Sequence, residues 1–65
     1  MSNRPAFTLA QLAACAAREV MMRRRVYPRW VQHGRMSQEK ADAEIAMMQA
    51  IADMLDQQAV SERLL

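Results

Sequence analysis

The chain contains a single glycine, Gly34, which separates two long segments with the composition of helices. Pro28 lies shortly before it, and proline lacks a backbone donor and disfavours helical backbone at the residue before it. The first helix is therefore predicted to end near residue 26, and a turn that starts at Pro28 is predicted over 28–33. Because only three residues, Gly34 to Met36, then precede the next helix, the two helices must form an antiparallel hairpin.

Both predicted helices have a recognisable start. Thr8 is a good N-cap for the first helix, and Gln11 three residues later completes the pattern of a capping box. Ser37 is a suitable N-cap for the second helix. The sequence thus predicts an all-α fold in which one domain spans the whole chain, with helices over residues 8 to about 26 and about 38–60.

Apolar residues at helical spacing form two stripes on each predicted helix. The stripes of the second helix are Ala41, Ile45, Met48, Ala52, Leu55 and Ala59, and beside them Met47, Ile51 and Met54. The stripes of the first helix are Leu9, Ala13, Ala16, Val20 and Tyr27, and beside them Cys15, Met22 and Val26. A hairpin covers one stripe per helix, so a second surface must cover the others.

A second copy of the same chain is the simplest cover. Sixty-five residues are marginal as a lone globule, and the single cysteine cannot form a disulfide within the chain. We therefore predict a homodimer that forms a four-helix bundle. Its predicted interface consists of Met22, Val26, Met47, Ile51, Met54 and Leu55. The alternative cover is a different protein, since methionine-rich surfaces adapt to varied partners.

Charge is divided unevenly along the chain. Residues 1–36 carry seven basic residues and one acidic residue, whereas residues 37–65 carry two basic and six acidic residues. Glu19 and Arg23 have the spacing of a favourable ion pair within a helix. Antiparallel folding is expected to bring Arg25 and Arg29 close to acids at the start of the second helix, namely Glu39, Asp42 and Glu44.

The arginines and aromatic residues before Gly34 are the best candidate binding site. The predicted partner-binding residues are Arg24, Arg25, Tyr27, Arg29 and Trp30. Arginine, tyrosine and tryptophan are enriched at the energetic centres of protein interfaces, which favours a protein partner. The alternative is nucleic-acid binding through Arg23 to Arg25, Tyr27, Arg29 and Trp30, although the net charge is only +2. The two aromatic residues can equally close the turn end of the bundle.

Catalytic, metal and cofactor chemistry are not expected. His33 and Cys15 have no suitable neighbours for catalysis or metal binding, and one glycine cannot build a phosphate loop. Leu12 to Cys15 resembles a bacterial lipobox, but the preceding apolar stretch is interrupted, so a reduced cysteine in a cytoplasmic helix is the preferred interpretation. No apolar run approaches the length of a membrane span.

The segment from residue 18 to residue 51 contains the pattern RRRVYPxWVxxGRM followed by AEI. This pattern resembles small uncharacterised helical proteins encoded by phages and prophages of proteobacteria. The resemblance covers about half of the chain. It implies a mobile-element accessory protein that acts in the bacterial cytoplasm by binding, and inhibiting, a host protein such as a regulator of transcription, defence or motility.

Overall fold

The computed structural model describes residues 6–64, which form two helices packed against each other: α1 (Leu9–Gln32) and α2 (Gln38–Leu64). Val20 packs against Ala52, and both lie further from the turn than the contact between Arg23 and Glu44, so the helices are antiparallel. The predicted all-α hairpin is confirmed. Arg4, which contributes to the basic half of the sequence, lies outside the described residues.

The predicted helix starts are both present. The Thr8 hydroxyl accepts a hydrogen bond from the Gln11 amide at 3.1 Å, and the Gln11 side chain accepts one from the Thr8 amide at 2.9 Å. This reciprocal pair is a complete capping box. At the start of α2, the Ser37 hydroxyl accepts a hydrogen bond from the Lys40 amide at 3.0 Å.

The predicted end of the first helix is wrong, because α1 continues through Pro28 to Gln32. The proline ring holds φ at a value that a helix also uses, so the main cost is one missing donor for the carbonyl of Arg24. A Schellman motif then ends α1: Gly34 donates to the Val31 carbonyl at 3.1 Å, and Arg35 donates to the Trp30 carbonyl at 2.8 Å. Gly34 has φ +73°, in the left-handed region that the sequence predicted for it. Residues 28–32 are thus helical and not a separate turn.

The second helix is also longer than predicted. It was expected to end near residue 60, but α2 extends to Leu64. The segment contains no proline or glycine, and Ala59 is buried near this end. Packing of Ala59 therefore stabilises the last turn of α2, which was expected to fray because it lies near the end of the chain.

The first of the two stripes on each helix forms the contact between α1 and α2, as predicted. The buried residues are Ala13, Ala16, Val20, Ala41, Ala52 and Ala59. Met48 and Leu55 are half-buried against the central cluster of Ala16, Val20 and Ala52. Small side chains therefore occupy the centre of the helix contact, and the larger side chains lie at its margins or outside it.

Candidate interaction surfaces

Of the nine large apolar side chains that are exposed in residues 6–64, four are predicted interface residues. They are Met22, Met47, Ile51 and Met54, and each keeps between 43% and 54% of its surface accessible. All four belong to the second stripes, which the hairpin was predicted to leave uncovered. What they can do depends on whether the stripe of α1 and the stripe of α2 lie on the same face.

Two hydrogen bonds cross between the helices and define the two edges of the pair. Arg23 Nη1 donates to the Glu44 carbonyl oxygen at 2.9 Å, and Arg24 Nη2 donates to Gln49 Oε1 at 2.9 Å. Successive residues of a helix are rotated by about 100°. Arg23 and Arg24 therefore reach α2 on opposite sides of the helix contact, which we call the Arg23 edge and the Arg24 edge.

The exposed stripe of α2 lies on the Arg23 edge, but Met22 of α1 does not. Met22 precedes Arg23 by one residue, and the rotation places it beyond Arg23 on the outward side of α1, in the same row as Arg29. On α2, Ile51 follows Glu44 by seven residues and so lies in the same row. The exposed methionines of α2 lie further round in the same direction. The three exposed side chains of α2 therefore form one surface, the apolar face, defined by Met47, Ile51 and Met54.

The other two predicted interface residues are less available. Val26 is half-buried, and it lies on α1 beside the apolar face. Leu55 is also half-buried, and it packs against the Ala16, Val20 and Ala52 cluster of its own chain. Leu55 belongs mainly to the helix contact, so it offers only part of its surface to another molecule.

The aromatic residues of the predicted partner-binding site are close together near the turn. The rings of Tyr27 and Trp30 are stacked with centroids 5.3 Å apart and an angle of 25° between their planes. The guanidinium of Arg23 lies 5.8 Å from the centre of the Tyr27 ring, on its face. Tyr27 is half-buried and Trp30 is exposed. One ring therefore anchors the pair to the hairpin while the other presents surface to solvent.

The three predicted arginines are not on one surface. Arg24 lies on the edge opposite Arg23 and is bonded to Gln49, whose amide in turn donates to Asp53 at 2.9 Å. Arg25 and Arg29 are exposed on the side of α1 that faces away from α2. The predicted site therefore separates into an aromatic pair, an arginine engaged within the hairpin, and two outward arginines.

The expected pairing of arginines with the acids of the second helix is not formed. Among residues 6–64 the structure contains one ion pair, between Arg23 Nε and Glu19 Oε1 at 3.0 Å, which confirms the predicted pair within α1. The two arginines that reach α2 bind a backbone carbonyl and an amide side chain. Extension of α1 through Pro28 places Arg25 and Arg29 on the outward side of a continuous helix, where they do not reach Glu39, Asp42 or Glu44.

Arg23 is the residue whose role the sequence did not reveal. Its side chain binds Glu19, the Glu44 carbonyl and the Tyr27 ring at the same time. The hydrogen bond with Glu19 raises the pKa of Arg23, although partial burial opposes this. Only the spacing of four residues to Glu19 and to Tyr27 gave a signal, and neither predicts the contact with α2.

The remaining candidates show no arrangement for catalysis. Cys15 is exposed in a shallow cleft of about 400 Å³ beside Phe7, Leu12 and Arg18, within the part of α1 that resembles a lipobox. His33 is the C-cap of α1. Within residues 6–64 no cluster of histidine, cysteine and acidic side chains can hold a metal ion. In the same range, neither helix has the length and apolar character needed to cross a membrane.

Comparison with sequence models of known families, with curated proteins and with solved structures gave no match. The function must therefore be inferred from the surfaces described above.

Proposed function

We propose that this chain is a non-enzymatic protein-interaction module that forms a homodimeric four-helix bundle and acts by binding another protein. The single observation that carries the proposal is the apolar face, where three large side chains of α2 remain about half exposed. Exposed apolar patches with polar surroundings are typical of protein interaction sites. We take a second copy of the same chain as the partner that covers the apolar face, because this requires no other protein.

The composition of the helix contact supports dimerisation. Alanine and one valine are the only buried residues among those described, and alanine contributes little apolar surface. Burial of a methionine or isoleucine side chain stabilises a fold by roughly 1.5–3 kcal/mol, so the apolar face holds more potential stabilisation than the buried alanines do. Packing the apolar faces of two copies together would bury these side chains and so gain this stabilisation.

The turn end of the hairpin is the proposed site for the second protein. Trp30 is exposed there, and Arg25 and Arg29 are exposed on the outward side of the same part of α1. These residue types dominate binding energy at protein interfaces. The resemblance to phage and prophage proteins points to a host protein in the bacterial cytoplasm as this partner, with inhibition as the outcome. Nothing in this proposal requires a cofactor, a metal or a small-molecule substrate.

Capture from a bacterial lysate, with and without nuclease, tests the proposal. A protein should be retained in both cases, and Trp30→Ala should abolish its retention. Phe7→Ala is the matched control, because Phe7 is an exposed aromatic residue at the opposite end of the molecule. Circular dichroism should show unchanged helix content in both variants. Equal loss in both variants, or in neither, would remove the turn end as the binding site.

Nucleic-acid binding is the second candidate, and the outward position of Arg25 and Arg29 favours it. Neither side chain forms a hydrogen bond or ion pair with the other residues of the 6–64 range. If they bind phosphates, the logarithm of affinity should fall linearly with the logarithm of salt concentration. Arg25→Ala combined with Arg29→Ala should then reduce the slope by about two. A partner that is lost on nuclease treatment would favour this candidate over a protein.

A further inference from the structure

The two helices of the hairpin carry opposite net charge. α1 contains five arginines and one glutamate, a net charge of +4, whereas α2 contains two basic and six acidic residues, a net charge of −4. The one acid of α1, Glu19, is bound to Arg23 on the Arg23 edge. The side of α1 that faces away from α2 therefore carries cations and no carboxylate.

Three exposed arginines form a row on this outward side. Arg18, Arg25 and Arg29 are separated by seven and four residues, close to two turns and one turn of helix. Arg18 lies about 200° round the helix from Val20, which packs against α2. None of the three forms a side-chain hydrogen bond or an ion pair within residues 6–64. Like charges four residues apart, as in Arg25 and Arg29, destabilise a helix, so bound anions would relieve a repulsion that the hairpin leaves in place.

Apolar side chains lie on the same side of α1 as the arginine row. Met22 follows Arg18 by one turn and keeps 43% of its surface accessible. One turn before Arg18, Cys15 lines the shallow, mostly apolar cleft together with Phe7 and Leu12. We call the arginine row, Met22 and this cleft the outer α1 surface. It places apolar side chains at the end away from the turn and cations towards the turn.

We infer that the outer α1 surface binds an anionic lipid bilayer. Basic helices with exposed apolar side chains bind at the boundary between headgroups and acyl chains, where arginines attract lipid phosphates. The arginine row is straight over about 16 Å, so all of it contacts a flat surface at once. The acids of α2 lie one helix further away, because the axes of packed helices are about 8–10 Å apart. That spacing is comparable with the Debye length of about 8 Å, so salt screens their repulsion from the bilayer.

A flat target fits the outer α1 surface better than a nucleic-acid duplex does. The walls of a duplex groove rise on both sides of a bound helix and would bring phosphates towards the acids of α2. Nucleic acid also offers nothing to fill the apolar cleft, and the arginine row contains no aromatic ring on which bases stack. The inference goes beyond the proposed protein binding and does not use the apolar face of α2.

Co-sedimentation of the full chain with lipid vesicles tests the inference. Vesicles of equal parts phosphatidylglycerol and phosphatidylcholine should retain the chain, and vesicles of phosphatidylcholine alone should not. Each basic residue near an anionic membrane contributes about five-fold in affinity, so Arg18→Gln combined with Arg25→Gln should weaken binding about 25-fold.

Ala50→Glu combined with Gln57→Glu is the matched control for the arginine variant. It lowers the net charge by the same amount, but on exposed positions of α2 that face away from α1. Binding should weaken by less than about two-fold, because these positions lie more than a Debye length behind the outer α1 surface. Circular dichroism should show unchanged helix content in both double variants.

A fluorophore that is sensitive to polarity, attached to the native Cys15, shows whether the cleft enters the bilayer. Its emission should shift to shorter wavelength with the anionic vesicles and stay unchanged with phosphatidylcholine vesicles. The control carries the label at residue 61, through Cys15→Ser combined with Ser61→Cys. Ser61 is exposed on the outward side of α2 at the same end of the hairpin, so its label should not shift.

Several outcomes would overturn the inference. Equal weakening by the two double variants would show attraction by net charge alone, and an unshifted Cys15 label on bound vesicles would show that the cleft is not used. Stronger binding to a DNA duplex than to anionic vesicles at equal phosphate concentration would favour nucleic acid as the partner. A native chain that does not bind anionic vesicles would also overturn it, whereas sedimentation of the chain without lipid tests the proposed dimer separately.

Discussion

Replacing Ile51 by glutamine separates the stability of the hairpin from that of the dimer. Ile51 keeps 44% of its surface exposed within one chain, and it lies outside the central cluster of the helix contact. Glutamine is a good helix former of similar size. In a single chain the substitution should therefore change the free energy of unfolding by less than about 0.5 kcal/mol, as for most surface positions.

In a dimer the same substitution should be costly. Complete burial of isoleucine stabilises by roughly 1.5–3 kcal/mol, and slightly less than half of that surface remains to be buried by a partner, so each copy loses about 1 kcal/mol. Because the interface is symmetric, both copies lose it, and the dissociation free energy falls by about 2 kcal/mol. This corresponds to an increase of about 30-fold in the dimer dissociation constant.

Sedimentation equilibrium at several micromolar concentrations measures this constant directly. Met21→Gln is the control, because Met21 is exposed on the other side of α1 and should leave the dissociation constant unchanged. Thermal unfolding should depend on concentration for the native chain, and less so for Ile51→Gln. An unchanged dissociation constant in Ile51→Gln, or equal weakening by Met21→Gln, would refute the assignment of the apolar face.

Three further substitutions test the fold by urea unfolding at matched protein concentration. Val20→Ala should lower the free energy of unfolding by about 2 kcal/mol, because Val20 is 3% exposed and the side chain becomes smaller by two carbon atoms at a packed site. A decrease of less than about 0.5 kcal/mol would contradict the place of Val20 in the core. Gly34→Ala should cost about 1–2 kcal/mol from left-handed backbone alone, because nothing lies within 4 Å of the added methyl group. Pro28→Ala should stabilise by roughly 1–3 kcal/mol, because it restores a donor to the Arg24 carbonyl inside α1, and a destabilised variant would show that the proline is favoured where it lies.

The features of the fold that depend on local backbone chemistry were predictable. Thr8, Ser37 and Gly34 each satisfy or release backbone groups within four residues of their own position, so their roles follow from the sequence. The stripe that packs between the helices follows from periodicity in the same way. The end of α1 was not predicted, because the lost donor at Pro28 opposes the gains from the Schellman motif and the Tyr27–Trp30 stack. All of these effects are local, but the sequence does not give their relative sizes.

The surfaces were predictable in composition but not in arrangement. The exposure of Met22, Met47, Ile51 and Met54 follows from helical spacing, but which of them lie together depends on how the two helices are rotated against each other. That rotation is visible only through contacts between helices, such as those of Arg23 with Glu44 and Arg24 with Gln49. The dispersal of Arg24, Arg25 and Arg29, by contrast, follows from the rotation of about 100° per residue along α1.

The distribution of residue size in this hairpin links its fold to its function. Alanines at the helix contact let α1 and α2 approach closely, and the price is that the larger apolar side chains cannot also lie between them. The chain consequently has a radius of gyration of 15.0 Å, whereas a compact domain of this length is expected near 11 Å. A flat, elongated hairpin of this kind has a small core and leaves large apolar side chains exposed on its surface. In the proposed dimer, association is the means by which the large side chains would contribute to stability, so a protein that competes for the apolar face is expected to change the stability of the fold.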